Sequence, residues 1–599
     1  MLHATLRAEA EVHDAQLARR GLDIWIGAEP TFTRRESTEA PWLSTAEGDD
    51  KLERARALVN GLGARLPRGT ALSRVIGRHF PDEDAPRFAW GVRWPRQPGP
   101  PGPDDRVPVA PPLDAPPVAA PPFDPDHAWL TVTPDPGVVE VNLAPSASLV
   151  DFCDQARLVW AAAHDAGLAP YRYRYNGDVT DSGGGGQLTF GGAIADASPF
   201  FRYPDLLPGV LRYVHNHPAL SYWFTGECVG SASQGPRPDE GARERFDEYE
   251  LTLEWLEHNA DRGRLDRQAL ALALAPLLVD ASGNSHRAEI NVEKLWNPGL
   301  GARGQLGVIE FRALRMPPTP GALVAAAALF RAVIARCALD SYRAPLVDWQ
   351  ADLHDRWALP HFLALDLRQV LADLDDHGLG LLPQMRRLLQ DDHRLVAVGQ
   401  LPGASLAVAR ALEFWPLVGD TASQERRGAR VVDASTERWQ LAVTGTAALD
   451  WLVVDGRRVD LPPADRWAGD DTRVIGVRRR AWVPSPGFHP GLPVQDPMVV
   501  EWGAGGQHQR LTIAGWRPGG GPYDGLPADA AEATARRIER IAVETLAAPL
   551  PRPHAAHRRT ATYTIDLRRP RAVDGKAVAL APATSSQVQS QSSSPVESA

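Results

Sequence analysis

GVIEFRALRMPP, residues Gly307–Pro318, sets Glu310 and Arg312, with Arg315 beyond them, in an otherwise apolar run. Strand periodicity places Glu310 and Arg312 on one face and Ile309 and Phe311 on the other. A carboxylate inside such a run needs a metal, an Arg or a hydrogen-bond donor to stay ionised. The Glu-x-Arg unit can offer its carboxylate to a cation and its guanidinium to a phosphate; a same-face ion pair on a solvated sheet is the plain alternative. Three further segments extend the pattern. IGAEPTF (Ile26–Phe32) ends a strand on Glu29, which a solvated strand end would also explain. GVVEVN (Gly137–Asn142) points Glu140 and Asn142 the same way, as a polar cleft or a structural polar pair requires. GGGGQLTFGG (Gly183–Gly192) puts four glycines before a strand, where free amides can approach an anion or simply form a flexible hairpin. Several such carboxylates together suggest a divalent-cation site. In NSHRAEINVEKL (Asn284–Leu295) the same alternation lines up Arg287, Glu289 and Asn291 on one strand face, and His286 reads as structural.

Composition narrows the classes. With 599 residues, 44% apolar and 23% charged, the chain can bury large cores in two to four domains. A net charge of −10 gives no electrostatic reason to expect nucleic acid or an anionic membrane. Basic residues are nearly all Arg; only Lys51, Lys294 and Lys576 are Lys. Three widely spaced cysteines form neither a disulfide framework nor a CxxC site, which fits a reducing compartment. The N-terminus lacks a signal-peptide core, and apolar stretches such as ALALALAPLLV (Ala269–Val279) are too short to span a bilayer. The expectation is a cytoplasmic protein with no nucleic-acid or membrane partner.

The fold class expected is α+β, a sheet with packed helices followed by an all-β module. Residues 1–345 read as one domain, with a Pro-rich insertion at 97–126 that favours extended geometry. Helices are expected over Asp50–Leu66, Ala147–Gly167 and Ala322–Asp340. A helical segment follows at 346–425, with residues 350–415 read as helices. Short alternating runs from about Val431 mark a β-rich module over 426–566, which Ala530–Leu546 closes as a helix. Residues 567–599 are too polar to order and form a tail. GLGARG (Gly299–Gly304) matches the dinucleotide fingerprint literally but leads into a strand rather than a helix, so it is set aside. HNHP (His215–Pro218) is set aside as a nuclease motif for want of metal ligands or a basic surface.

The four segments, with GRHFPDEDAPRFAW, SPFFRYPDLLPGVLRYVHNHPALSYWFTG, SQGPRPDE and LHDRWALPHF, resemble the bacterial amidoligase family, long classed as a domain of unknown function. The resemblance runs from about His13 to about Asp566. That family is usually fused behind a transglutaminase-like domain; this chain lacks that portion and reads as a stand-alone member. The family is similar to glutamine synthetase and the glutamate–cysteine ligases, so the resemblance implies an antiparallel sheet forming a metal-lined ATP cleft. It assigns Glu29, Glu140 and Glu310 to Mg²⁺, Arg287, Glu289 and Arg312 to catalysis, and Arg78, Asn142, Gly184, Gly185 and Gln187 to the nucleotide. The implied reaction joins a small-molecule or peptide carboxylate to an amine at the expense of ATP, in a pathway with transglutaminase-like and ATP-grasp partners. Two departures stand out: relatives carry Asn-His where Gly186 and Gln187 stand, and Lys-Trp-Tyr-Pro where Arg78-His79-Phe80-Pro81 stand. Gln can still give a carbonyl oxygen to Mg²⁺. A ligase-like scaffold that binds nucleotide or peptide for a partner enzyme is the alternative.

Overall fold

The computed structural model describes residues 2–36, 42, 49–76, 88–97, 107–112, 115–119, 121, 124–135, 137–418, 431–462, 471–483, 487–547, 561–569, 572–573 and 576–577. Two compact units emerge. The first comprises residues 1–357, 362–393 and 521–539, and the second 358–361, 394–520 and 540–599.

The first unit is built on two antiparallel sheets. One runs Trp25–Glu29, Gln187–Gly191, Ile309–Phe311, Ile290–Asn291 in spatial order. The other runs Ala71–Ile76, Phe88–Pro95, His127–Asp135, Val138–Asn142, Thr31–Arg34, Leu168–Ala169. They meet where the chain passes from Glu29 to Thr31: the amides of Val141, Leu143 and Ser146 donate to the carbonyls of Pro30, Ala28 and Ile26. The Glu140 strand is therefore the lateral neighbour of the Glu29 strand, on the side away from Gln187.

Strict alternation sorts the first sheet. Ile26, Ala28, Leu188, Phe190, Ile290, Ile309 and Phe311 are all buried on one face. They meet the helix Pro320–Leu339, whose Phe330 ring lies 4.6 Å from that of Phe311. This helix starts sharply because Thr319 accepts the Ala322 amide and Pro320 occupies the first turn. At 20 residues it is long and apolar enough to cross a bilayer, which corrects the expectation that no apolar stretch reaches that length; it is mostly buried in protein. Its Arg331 ties the layer together, donating to the carbonyls of Ile24 and Ala147 and pairing with Asp14. Helix Leu149–Asp165 is capped by Ser148 and released by Gly167 at φ 71°. In the Pro-rich stretch, buried Ala110 donates to Asn60 and Val118 bridges to Val75.

The second unit is a sandwich of two five-stranded sheets. One holds Leu395–Leu401, Ala404–Ala411, Thr436–Thr444, Thr472–Arg480 and Thr564–Asp566; the other holds Arg457–Arg458, Leu449–Val454, Met498–Ala504, Gln507–Ile513 and Ile541–Leu546. Trp439, Leu441, Val477, Val500, Trp502 and Leu511 fill the space between.

Two helical expectations give way here. Residues 395–411 form a hairpin turning at Pro402-Gly403, and its second strand pairs on with Thr436–Thr444. The helix from Ala530 stops at Glu539, and IAVETL pairs with Gln507–Ile513 as a strand, as its β-branched residues favour. Most of the tail from 567 lies outside the described residues. All three cysteines are free.

Candidate active site

The face opposite the apolar one carries the charge. Glu29 stands opposite Gln187, Thr189 opposite Glu310, and Asn291 opposite Glu310 on the next strand. Two-residue periodicity adds Arg312 to this face. Glu310 is 4% exposed and ion-pairs through one oxygen with Arg312. Its other oxygen lies 3.7 Å from Nζ of Lys294, which is also 3.6 Å from Glu29. One ammonium thus bridges carboxylates that project from strands two places apart. Two buried atoms on this face, Oε1 of Gln187 and Nε of Arg312, have no hydrogen-bond partner. Unsatisfied buried polar atoms are costly, and both of these lie on the charged face.

Glu140 lies one strand outward. It stands opposite Thr31 and Thr133, and its carboxylate accepts a 2.9 Å bond from Asn142. The structure brings Glu29 and Glu310 to one cation and leaves Glu140 beside Asn142. Among the described residues no group of three His, Cys, Asp or Glu side chains is disposed to hold a metal ion. The two carboxylates that converge, with the unpartnered amide oxygen of Gln187 on the strand between them, have the chemistry a hard cation such as Mg²⁺ takes.

The glycine run divides its labour. Gly183, Gly185 and Gly186 have φ of 107°, 81° and 84°. A Cβ on Gly185 would fall 2.4 Å from Oγ1 of Thr31, and one on Gly186 would fall 2.2 Å from the Arg315 carbonyl. These two glycines permit close protein packing. Gly184 is open instead, with Nε2 of Gln234 its nearest neighbour at 3.9 Å. The Thr31 hydroxyl bonds Ser182 at 2.7 Å and the Gly184 carbonyl, which holds the run in place.

Arg287 and Glu289 do not share a strand with Asn291 as alternation suggested: the strand is only Ile290–Asn291, and bends and turns precede it. Asn291 itself imposes this, since Nδ2 bonds the Ser285 carbonyl and Oδ1 accepts the Glu293 amide. Arg287 is half-buried; its amide donates to the Asn284 carbonyl, while among the described residues its side chain makes no hydrogen bond or ion pair. Burial, reinforced by the nearby Arg312 guanidinium, lowers its pKa. Two like charges kept close without a shared acid make a ready anion site.

Glu289 is 4% exposed and turns into a buried network behind the strand. There Arg237 holds Asp239 in a two-pronged pair at 2.9 and 3.0 Å and also donates to Ser221 and the His215 carbonyl. Glu289 lies 3.8 Å from Arg237, whose charge is already engaged, and burial pushes its carboxyl up to about 7. Its backbone carbonyl accepts the Arg312 amide, so the network positions Arg312. Arg78 lies outside the described residues. Sequence alone assigns Lys294 and Arg237 no role, although they sit in NSHRAEINVEKL and SQGPRPDE; a Lys among few Lys is the available signal.

A mixed α+β protein thus presents carboxylates, an amide and the Arg312 guanidinium on one face of an antiparallel sheet. The chain belongs to the family described as "Putative amidoligase enzyme", whose model matches residues 3–106 and 118–568. The internal gap, residues 107–117, falls within the Pro-rich stretch. No curated protein matches the chain.

Proposed function

We propose that this face is the active site of an ATP-dependent carboxylate–amine ligase with a glutamine-synthetase-like sheet. The observation that carries the reading is the Glu29–Lys294–Glu310 bridge beside Arg312 and Arg287, which sets a cation locus next to an anion locus. Glu29, Glu310 and Oε1 of Gln187 would hold Mg²⁺, with Glu140 and Asn142 bordering them; the ion would neutralise phosphate charge. Arg312 and Arg287 stabilise charge on the transferring phosphoryl group, and the open side of Gly184 leaves backbone room for phosphates. A carboxylate oxygen of the acid bonds to the γ-phosphorus as the bond to ADP breaks. The amine nitrogen then bonds to the acyl carbon, phosphate leaves, and the amine gives up a proton. The acid and amine would be small molecules or peptides, in a peptide- or protein-modifying pathway, a placing supported by family resemblance alone.

The test pairs calorimetry of ATP binding, with and without Mg²⁺, with hydroxylamine trapping across a panel of acids. Mg²⁺-dependent binding, hydroxamate formation and loss of both in Glu310→Gln are expected. A folded wild-type protein that binds no ATP would overturn the reading. Gln187, where the family resemblance implies a His, favours a second reading: a non-catalytic scaffold, which would bind ATP with Mg²⁺ yet release no ADP.

A further inference from the structure

Glu29 and Glu310 belong to strands separated by the Gln187–Gly191 strand. Neighbouring strands lie about 4.8 Å apart, so the two backbones stand roughly 10 Å from each other. Their carboxylates nonetheless converge on one point, marked by Nζ of Lys294 at 3.6 and 3.7 Å. Gln187 lies on the strand between them and keeps Oε1 buried without a partner. The point is therefore a cation locus between two carboxylates, with Gln187 on the strand that separates them.

Lys294 reaches that point from outside the sheet. Its own carbonyl accepts the Leu306 amide, and the next carbonyl, of Leu295, accepts the Gly307 amide. The backbone is thus anchored just ahead of the Glu310 strand, while the side chain remains 32% exposed. A lysine on a fixed backbone carries its charge at the end of a flexible four-carbon stem and can swing to a nearby acceptor. Arg312 and Arg287 mark where an anion would sit alongside.

We infer that Lys294 is a tethered cation that holds the Glu29–Glu310 locus until a divalent cation arrives with a nucleotide. The ammonium then transfers to the phosphates that accompany the metal. Free metal must displace the lysine with nothing to receive it, whereas metal carried by a nucleotide brings the receiving anion. Metal and nucleotide binding are coupled through this one side chain, and the coupling is reciprocal. Lys294 is accordingly a positioning residue that makes the metal site nucleotide-dependent. This inference rests on the ligase reading above.

The test is Mn²⁺ titration followed by electron paramagnetic resonance, on the full chain, with and without a non-hydrolysable ATP analogue. Wild type, Lys294→Gln, Lys294→Arg and Glu310→Gln are compared, and circular dichroism checks each fold. Lys294→Gln should bind Mn²⁺ alone at least about tenfold more tightly than wild type, and the analogue should add less to its affinity. Lys294→Arg, which keeps the charge, should stay close to wild type, and Glu310→Gln identifies the signal that belongs to the locus. Equal Mn²⁺ affinity in wild type and Lys294→Gln, with the signal lost in Glu310→Gln, overturns the inference and leaves the ligase reading standing. Absence of Mn²⁺ binding in every protein, with and without the analogue, removes the ligase reading and the inference together.

Discussion

Glu29 and Gln187 stand opposite one another on adjacent antiparallel strands, and the amide oxygen of Gln187 is buried with no hydrogen-bond partner. A buried carbonyl left in that state costs about 1–3 kcal/mol. Its retention beside a carboxylate separates two properties that usually move together, fold stability and ligand binding.

Gln187→Leu removes the unsatisfied oxygen and keeps similar bulk. We expect a melting temperature equal to or a few degrees above wild type, with Mg²⁺-dependent ATP binding lost. Thermal unfolding and calorimetry on the same preparation check both parts. A clear fall in melting temperature would show that the amide serves the fold instead.

The glycine run offers a paired comparison. Gly186→Ala forces a side chain at φ 84° into contact with the Arg315 carbonyl, so we expect a loss of more than about 2 kcal/mol or failure to fold. Gly184→Ala meets nothing closer than 3.9 Å and should fold normally while weakening ATP binding several-fold. Urea unfolding of both variants decides the first point. Unchanged ATP affinity in Gly184→Ala would take that residue out of the phosphate site.

Acid should unfold the protein through two buried histidines. Burial lowers His13 to about 3 and His215 to about 4. The folded state refuses protons that the unfolded chain accepts, so their contribution is complete above pH 6.5 and drains away as pH falls through 6.5 toward 4. The loss approaches about 1.4 kcal/mol per pH unit for each. Neither ring nitrogen of His13 has a partner. His13→Leu should therefore flatten the acid side of a plot of urea midpoint against pH, and a plot of unchanged slope would contradict this.

Glu289 should act in the opposite sense. Its carboxyl, raised to about 7 by burial, stays protonated in the folded state while the unfolded chain ionises above about 4.5. The stability it contributes is complete below pH 4.5 and is lost as pH rises toward and through 7. Glu289→Gln mimics the protonated acid and should raise the melting temperature relative to wild type at pH 8 but not at pH 4.5. Equal differences at the two pH values would show that the carboxyl is already ionised when folded.

Local alternation alone settled the faces of the Glu310 strand, and it failed for Arg287 and Glu289, where bends precede the two-residue strand. Glu310 with Arg312 and the apolar Ile309 with Phe311 separate by period two whatever the rest of the chain does. The helices at Leu149–Asp165 and Pro320–Leu339 were legible from helical spacing, and the structure adds Ser148 and Thr319 as their caps. The hairpin at 395–411 and the strand at Ile541–Leu546 were misread as helix because short apolar runs fit either period, and only pairing with distant strands decides between them. Register is likewise non-local: which strand lies beside Glu29, and that Glu140 falls one place outward, depends on pairings between residues more than a hundred positions apart. Lys294 shows the limit most clearly. Its charge was plain in the sequence, but the convergence of Glu29 and Glu310 on its ammonium exists only once three strands are side by side, because the site is assembled by tertiary packing and not by spacing along the chain.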